Sequence, residues 1–252
     1  MEVQLNYPNA RMREHQRFAW FKASILSCLI SVSVLAFAFI ELYDLDLVVS
    51  SLFYNVSTHS WQYCDHLFFS TIDHGIVWLT SITAIGYCLV YLLTWFSCRN
   101  CWANRAGLIM VLVMLIGPVL LINGIMKPIF SRARPREVAT LGGTMSYTSA
   151  WLSSNSPYRN SSFPSGYSSV GFYLIAPAML LRRGRLQFIV LLTTGFMSGM
   201  IVGYSRVAQG GHLVSDVLCS MIVMTVISWA IAEAVFYVWP IQSMNTHNAF
   251  RV

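Results

Sequence analysis

Apolar residues run almost unbroken from Trp20 to Leu42, Gly75 to Phe96, Ala106 to Met126, Leu186 to Val202 and Leu213 to Trp239. A helix crosses the hydrocarbon layer of a membrane with roughly 20 predominantly apolar residues. A sixth, shorter run from Ser168 to Leu181 begins at an interfacial turn around Ser165. The pattern predicts an all-α polytopic membrane bundle of six transmembrane helices. It forms a single membrane domain over residues 1–252, with residues 1–19 as a cytoplasmic tail. The first run is longer than the ~7–15 apolar residues of a secretory signal and no small-residue cleavage site follows it, so it is expected to remain in the chain.

Composition sharpens this picture. Apolar residues make up 56% of the chain and charged residues 10%, against roughly a quarter charged in a soluble domain. So few ionisable groups cannot cover a water-facing surface, which excludes a soluble globular domain. Cys28, Cys88 and Cys219 fall within or beside apolar runs, and Cys64 stands alone in a loop. Cys98 and Cys101 form a CxxC that no second pair or histidine pair completes into a zinc site.

The net charge is +6, but in a membrane protein the placement of charge matters more than the sum. Ten of the sixteen basic residues (Arg11, Arg13, Arg17, Lys22, Arg99, Arg105, Arg182, Arg183, Arg185 and Arg251) fall on one set of segments that includes both termini. The 43–74 loop on the opposite side has none and carries Asp44, Asp46, Asp65 and Asp73. Both termini are therefore expected to be cytoplasmic. The remaining six, Lys127, Arg132, Arg134, Arg136, Arg159 and Arg206, run against this bias and need another reason to be where they are.

Lys127 closes the third run and Arg134 follows it. Pro164-Ser165-Gly166 opens the short run. Arg206 follows the next span, and His212 opens the last with Asp216 four residues on. Topology thus brings cations, a helix N-terminus and a His/Asp pair to one membrane face. Phosphoryl transfer suits these parts, because charge developing on phosphoryl oxygens needs fixed positive charge and N–H donors around it. Arginines can fork onto two oxygens and a lysine supplies a point charge. A carboxylate one helical turn from an imidazole can hold one ring nitrogen and leave the other aimed at phosphorus.

Lys127 followed after six residues by Arg134-Pro135, then Pro164-Ser165-Gly166, then Ser205-Arg206 with His212 and Asp216 together resemble the three signature motifs of the type 2 phosphatidic acid phosphatase superfamily. The motifs span 127–216, and the six-helix layout resembles the membrane branch. The resemblance implies that His212 attacks phosphorus to form a phosphohistidine that water hydrolyses, with Asp216 orienting it. It further implies that Lys127, Arg134, Ser165, Gly166 and Arg206 bind the substrate phosphate, and that no metal or other cofactor is needed. "QGGHLVSD" resembles a bacterial subgroup that includes lipid A 4′-phosphatases.

One position departs from the family. The second motif usually ends in a histidine that protonates the leaving group, and this chain has Tyr167 there. Loss of a general acid typically costs about 10² to 10⁴ in rate. Tyr167 is therefore read as a weaker acid, as a neutral replacement compatible with a good leaving group, or as an inactivating change.

The expected function is a lipid phosphate phosphatase of the bacterial inner membrane, its site facing the periplasm. Its substrate is an outer-leaflet phospholipid, lipid A or polyprenyl diphosphate. The alternatives are a phosphotransferase using the same intermediate and a non-catalytic lipid-phosphate binder. The membrane and a lipid phosphate are the expected partners; no nucleic acid and no obligate protein partner are expected. Asp73 and His74 could touch substrate. Arg132, Arg136 and Arg159 are expected to recruit headgroups or to decorate a solvated loop. The 137–162 loop is read as a mobile lid or selecting segment, and Glu233 as a packing contact at the far end.

Overall fold

The computed structural model describes residues 7–64, 66–98, 101–150, 152–153 and 161–238, with side chains from residue 13 onward. Its helices are α1 (Tyr7–Leu42), α2 (Leu45–Ser51), α3 (Leu67–Ser97), α4 (Trp102–Met114), α5 (Lys127–Phe130), α6 (Gly166–Phe172), α7 (Ala176–Met179), α8 (Arg185–Ala208) and α9 (Val214–Val238). A wide π-type stretch, Leu115–Met126, joins α4 to α5 around Pro118. A proline inside a helix removes one backbone donor, and here the Asn123 side-chain amide donates to the Pro118 carbonyl at 2.7 Å. The only strands among the described residues are the two-residue hairpin β1 (Tyr54–Asn55) and β2 (Ser60–Trp61).

Among the described residues, five helical stretches are long and apolar enough to cross a membrane: Arg13–Leu42, Leu67–Ser97, Trp102–Glu137, Arg185–Ala208 and Val214–Val238. The residues expected to make a sixth span form α6, a tightened turn over Tyr173–Ile175, and α7. From Gly166 to Met179 this is about 21 Å at 1.5 Å per residue, short of a ~30 Å hydrocarbon layer. Phe172, Tyr173, Ile175, Ala176, Ala178 and Met179 are all fully buried, so this segment is a core helix wrapped by the longer ones. Residues 7–19, within the segment expected as a cytoplasmic tail, are helical and continuous with the rest of α1.

The segment fits inside the bundle because α8 presents glycines at 195, 199 and 203. A Cβ at Gly195 would lie 2.3 Å from the Ile175 backbone. One at Gly199 would lie 2.1 Å from the Phe172 ring, and one at Gly203 would lie 2.4 Å from Val217. Small residues at every fourth position let helices approach to backbone contact. α3 packs on α4 and α8, while α9 takes α1, α4 and α6. The outer faces of α1 and α3 expose Leu35, Phe39, Leu79, Ile82 and Leu93, an apolar surface of the kind that meets lipid.

Charge gathers at the two ends of α9. At one end Lys22 pairs with Glu233 at 2.6 Å, Arg182 reaches the same carboxylate at 3.3 Å, and the Arg182 guanidinium lies 3.7 Å over the Phe236 ring. Glu233 is thus the packing contact that the sequence suggested. The other end carries His212.

Candidate active site

His212 follows the short turn that reverses the chain after α8. Gly210 takes a positive φ of 67° there, and a Cβ would strike the Trp61 indole at 2.6 Å. The backbone amides of Gly211 and His212 both donate to the Arg206 carbonyl, at 2.8 and 3.2 Å. These two bonds tie the histidine to the cation that precedes it.

The imidazole is 2% exposed. Its Nδ1 lies 2.7 Å from the Ser162 carbonyl. A carbonyl only accepts, so the proton sits on Nδ1 and Nε2 keeps its lone pair. Nε2 makes no hydrogen bond among the described residues. Burial pushes the pKa of His212 down to about 4, the nearby charges of Lys127 and Arg206 act the same way, and Asp216 opposes them. The ring is consequently neutral at pH 7, the form that a nucleophile requires.

Asp216 was expected to hold the ring directly. Its Oδ2 lies 3.5 Å from Nδ1, so the Ser162 carbonyl is the closer partner. Asp216 instead accepts from the Leu213 amide at 2.7 Å, from the Ser162 hydroxyl, and from Arg132 at 2.8 Å. The carboxylate frames the loop that carries the carbonyl, and much of its hold on His212 passes through Ser162.

Lys127, Arg134 and Arg206 lie near enough for each to feel the charge of the others. The ammonium of Lys127 and the guanidinium of Arg134 make no hydrogen bond or ion pair among the described residues, although Lys127 is only 9% exposed. Arg206 Nη1 donates to Gln209 at 2.6 Å and sits 3.4 Å from Asp73, while its Nε is buried and unpartnered. Asp73, expected as a possible substrate contact, is buried behind Arg206, whereas His74 is exposed.

Gly166 brings α6 against this group. A Cβ there would lie 2.8 Å from Asn123 Oδ1 and 3.3 Å from Lys127 Nζ. The Ser165 hydroxyl caps α6 by accepting from the Ser168 amide, and the Ser165 amide donates to the Asp216 carbonyl at 3.1 Å. Ser165 therefore joins α6 to α9, and the first-turn amides of Gly166 and Tyr167 are left without an intrahelical acceptor. The Tyr167 ring lies under the Arg206 guanidinium at 4.7 Å and is 38% exposed.

All eight residues singled out in the sequence thus meet at one end of the bundle. Ser162, Asn123 and Gln209 were missed. Arg132 is a correction: expected on a solvated loop, it is fully enclosed and ion-paired, because three carboxylates surround it. Arg136 is exposed, and Arg159 lies outside the described residues. Of the loop read as a lid, Tyr147, Thr148, Ser149 and Ala150 are bonded to Arg132 or Glu41.

Comparison with known proteins agrees with this geometry. The chain is 29% identical over 130 residues to a lipid A 4'-phosphatase of Francisella tularensis subsp. novicida (strain U112). That match covers 51% of this chain and 57% of the relative. No solved structure matches the chain. The PAP2 superfamily model matches residues 106–240, more than half of the sequence and every motif residue, and the chain belongs to the PAP2 superfamily.

Proposed function

We propose that this protein is a membrane lipid phosphatase that removes phosphate from a lipid headgroup through a phosphohistidine on His212. One observation carries the reading. Three cations, Lys127, Arg134 and Arg206, gather beside a neutral buried imidazole, and Lys127 and Arg134 make no direct ion pair among the described residues, although each feels a nearby carboxylate, Asp216 and Glu137 respectively. Like charges repel unless an anion lies between them, and a phosphate dianion is such an anion.

In this reading Lys127, Arg134 and Arg206 draw charge from the phosphoryl oxygens as the transition state forms. His212 Nε2 attacks phosphorus in line, and its Nδ1 proton stays on the Ser162 carbonyl side as positive charge develops on the ring. The P–N bond forms as the bond to the lipid oxygen breaks, and the departing oxygen takes its proton from water. Water then cleaves the P–N bond, releasing inorganic phosphate and restoring the free imidazole. The Tyr167 ring holds the Arg206 guanidinium from below, which gives this departure from the usual histidine a place in the site. The first-turn amides of Gly166 and Tyr167 add donors.

The long apolar helices support a multi-pass membrane protein. The buried segment 166–179, too short to span alone, completes the sixth crossing together with the chain at its two ends, both termini are cytoplasmic, and the site faces the periplasm of a bacterial inner membrane. The likeness to a lipid A 4'-phosphatase makes a lipid A phosphate the first substrate to try, ahead of polyprenyl diphosphate and phosphatidate.

The test is phosphate release by purified protein across that panel. His212→Ala should lose on the order of 10⁴-fold or more in kcat, and a variant with near-native rate overturns the nucleophile assignment. Binding of lipid phosphates without release of phosphate from any of them would mark the protein as a binder.

A further inference from the structure

Arg132 belongs to none of the motif positions, yet it is 2% exposed and every nitrogen of its guanidinium is bonded. Nε donates to the Thr148 carbonyl at 2.7 Å. Nη1 donates to Ser215 Oγ at 2.7 Å and Asp216 Oδ1 at 2.8 Å. Nη2 reaches Asp46 Oδ2 at 2.9 Å, the Tyr147 hydroxyl at 3.1 Å and Glu41 Oε1 at 3.5 Å. Its main chain is equally committed: the amide donates to Ser161 Oγ and the carbonyl accepts from the Ser162 amide, both at 2.8 Å.

Glu41 ends α1 and Asp46 lies in α2. Asp46 Oδ1 also accepts from the Ser215 amide at 2.9 Å, placing a carboxylate at the N-terminus of α9, where negative charge is favoured. Burying four charged groups is poor value for stability, since an apolar replacement of the same volume is often neutral or stabilising. The network's distinctive effect is geometric. Arg132 grips both groups that orient His212: Asp216 through Nη1, and Ser162 through its own carbonyl.

We propose that Arg132 is a positioning residue which, clamped by Glu41 and Asp46 of the α1–α2 elbow, fixes Ser162 and Asp216 and through them the aim of His212 Nε2. Glu41 and Asp46 precede residue 106, so the elbow outside the family-matched region completes the site. The inference rests on the reading of His212 as the nucleophile. Arg132 makes no contact with the cations that hold the phosphate, so binding and aim are separable.

The test uses the full chain in detergent, with inorganic phosphate and orthovanadate as probes and phosphate release as a second readout. Vanadate can take a fifth ligand from Nε2 and resemble the transition state; phosphate cannot. Arg132→Lys keeps the charge and loses the fork. It should bind phosphate within threefold of wild type, lose about 10- to 100-fold of the preference for vanadate, and lose a similar factor in kcat with KM within threefold. A parallel loss of both anions, or no change in either, overturns the proposal. Should Arg132→Lys fail to fold, Asp46→Asn serves, with the same pattern at about 3- to 10-fold; a native vanadate preference and native kcat there overturn the proposal. A wild type with no vanadate preference overturns the nucleophile reading itself, and the inference with it.

Discussion

Two charged regions flank His212, and they are built on opposite rules. On one side Lys127, Arg134 and Arg206 crowd together, with Asp73 as their sole ion-pair partner among the described residues. On the other, the single guanidinium of Arg132 is ringed by Glu41, Asp46 and Asp216. Arg132 and Arg134 are two residues apart, yet one is satisfied within the protein and the other is left open. The difference teaches how the two regions differ in what they can do: the excess of positive charge suits the anion binding proposed above, and the carboxylates around Arg132 suit a frame.

Removing a cation should separate the two regions most sharply. Arg206→Ala should weaken inhibition by phosphate or vanadate by about 10²- to 10³-fold; unchanged inhibition removes Arg206 from the site. Next comes the response to pH. In Asp46→Asn, which removes the carboxyl that titrates near 6, His212 stays neutral down to about pH 4, so kcat/KM at pH 5.5 should remain near that variant's plateau, and a half-loss near pH 6.5 would contradict the burial argument.

The frame has its own signature in stability. His212 in the unfolded chain binds a proton below about 6.5, but the folded protein binds it only below about 4, so this group adds stability as pH rises across that interval. Burial pushes the Asp46 carboxyl the other way, up from 3.8 to about 6. Its folded form holds a proton that the unfolded chain has released, and stability falls as pH rises through that window. The two effects oppose each other over nearly the same pH interval. Asp46→Asn should unmask the histidine slope, with a Tm that rises between pH 4 and 6.5 more steeply than in wild type. Parallel curves would show that Asp46 does not titrate there.

A packing change should act more weakly on the site. Gly199→Ala pushes the Phe172 ring away and should destabilise the protein by about 1–3 kcal/mol, read from its thermal unfolding. The smallest effect belongs to Lys22→Met at the far end of α9. Its partner Glu233 is half-exposed, so the loss should stay within about 1 kcal/mol with kcat unchanged.

Much of the open region was legible in the sequence, because its members sit at helix ends and their charges oppose the bias of the rest of the chain. Lys127, Arg134, Arg206 and His212 stood out for that reason. The frame was harder to read. Glu41 and Asp46 look like ordinary polar residues closing a span, and only the fold brings them to Arg132. Ser162 contributes a backbone carbonyl, and no side-chain pattern marks one carbonyl among many. That the short segment 166–179 is buried inside the bundle was not legible, because apolar content does not distinguish lipid from protein surroundings. The glycines at 195, 199 and 203 were the available signal, a four-residue spacing that invites close packing.

The cluster of Lys22, Glu233 and Arg182 has a consequence for the proposed membrane setting. It lies about 30 Å along α9 from His212, so charged and polar groups hold both ends of one helix. A bilayer thicker than this span must thin around the protein, or the helix must tilt less, each at a cost of a fraction of a kcal/mol per ångström. Under the proposed function, phosphate release should therefore vary with the acyl-chain length of bulk lipids that never enter the site.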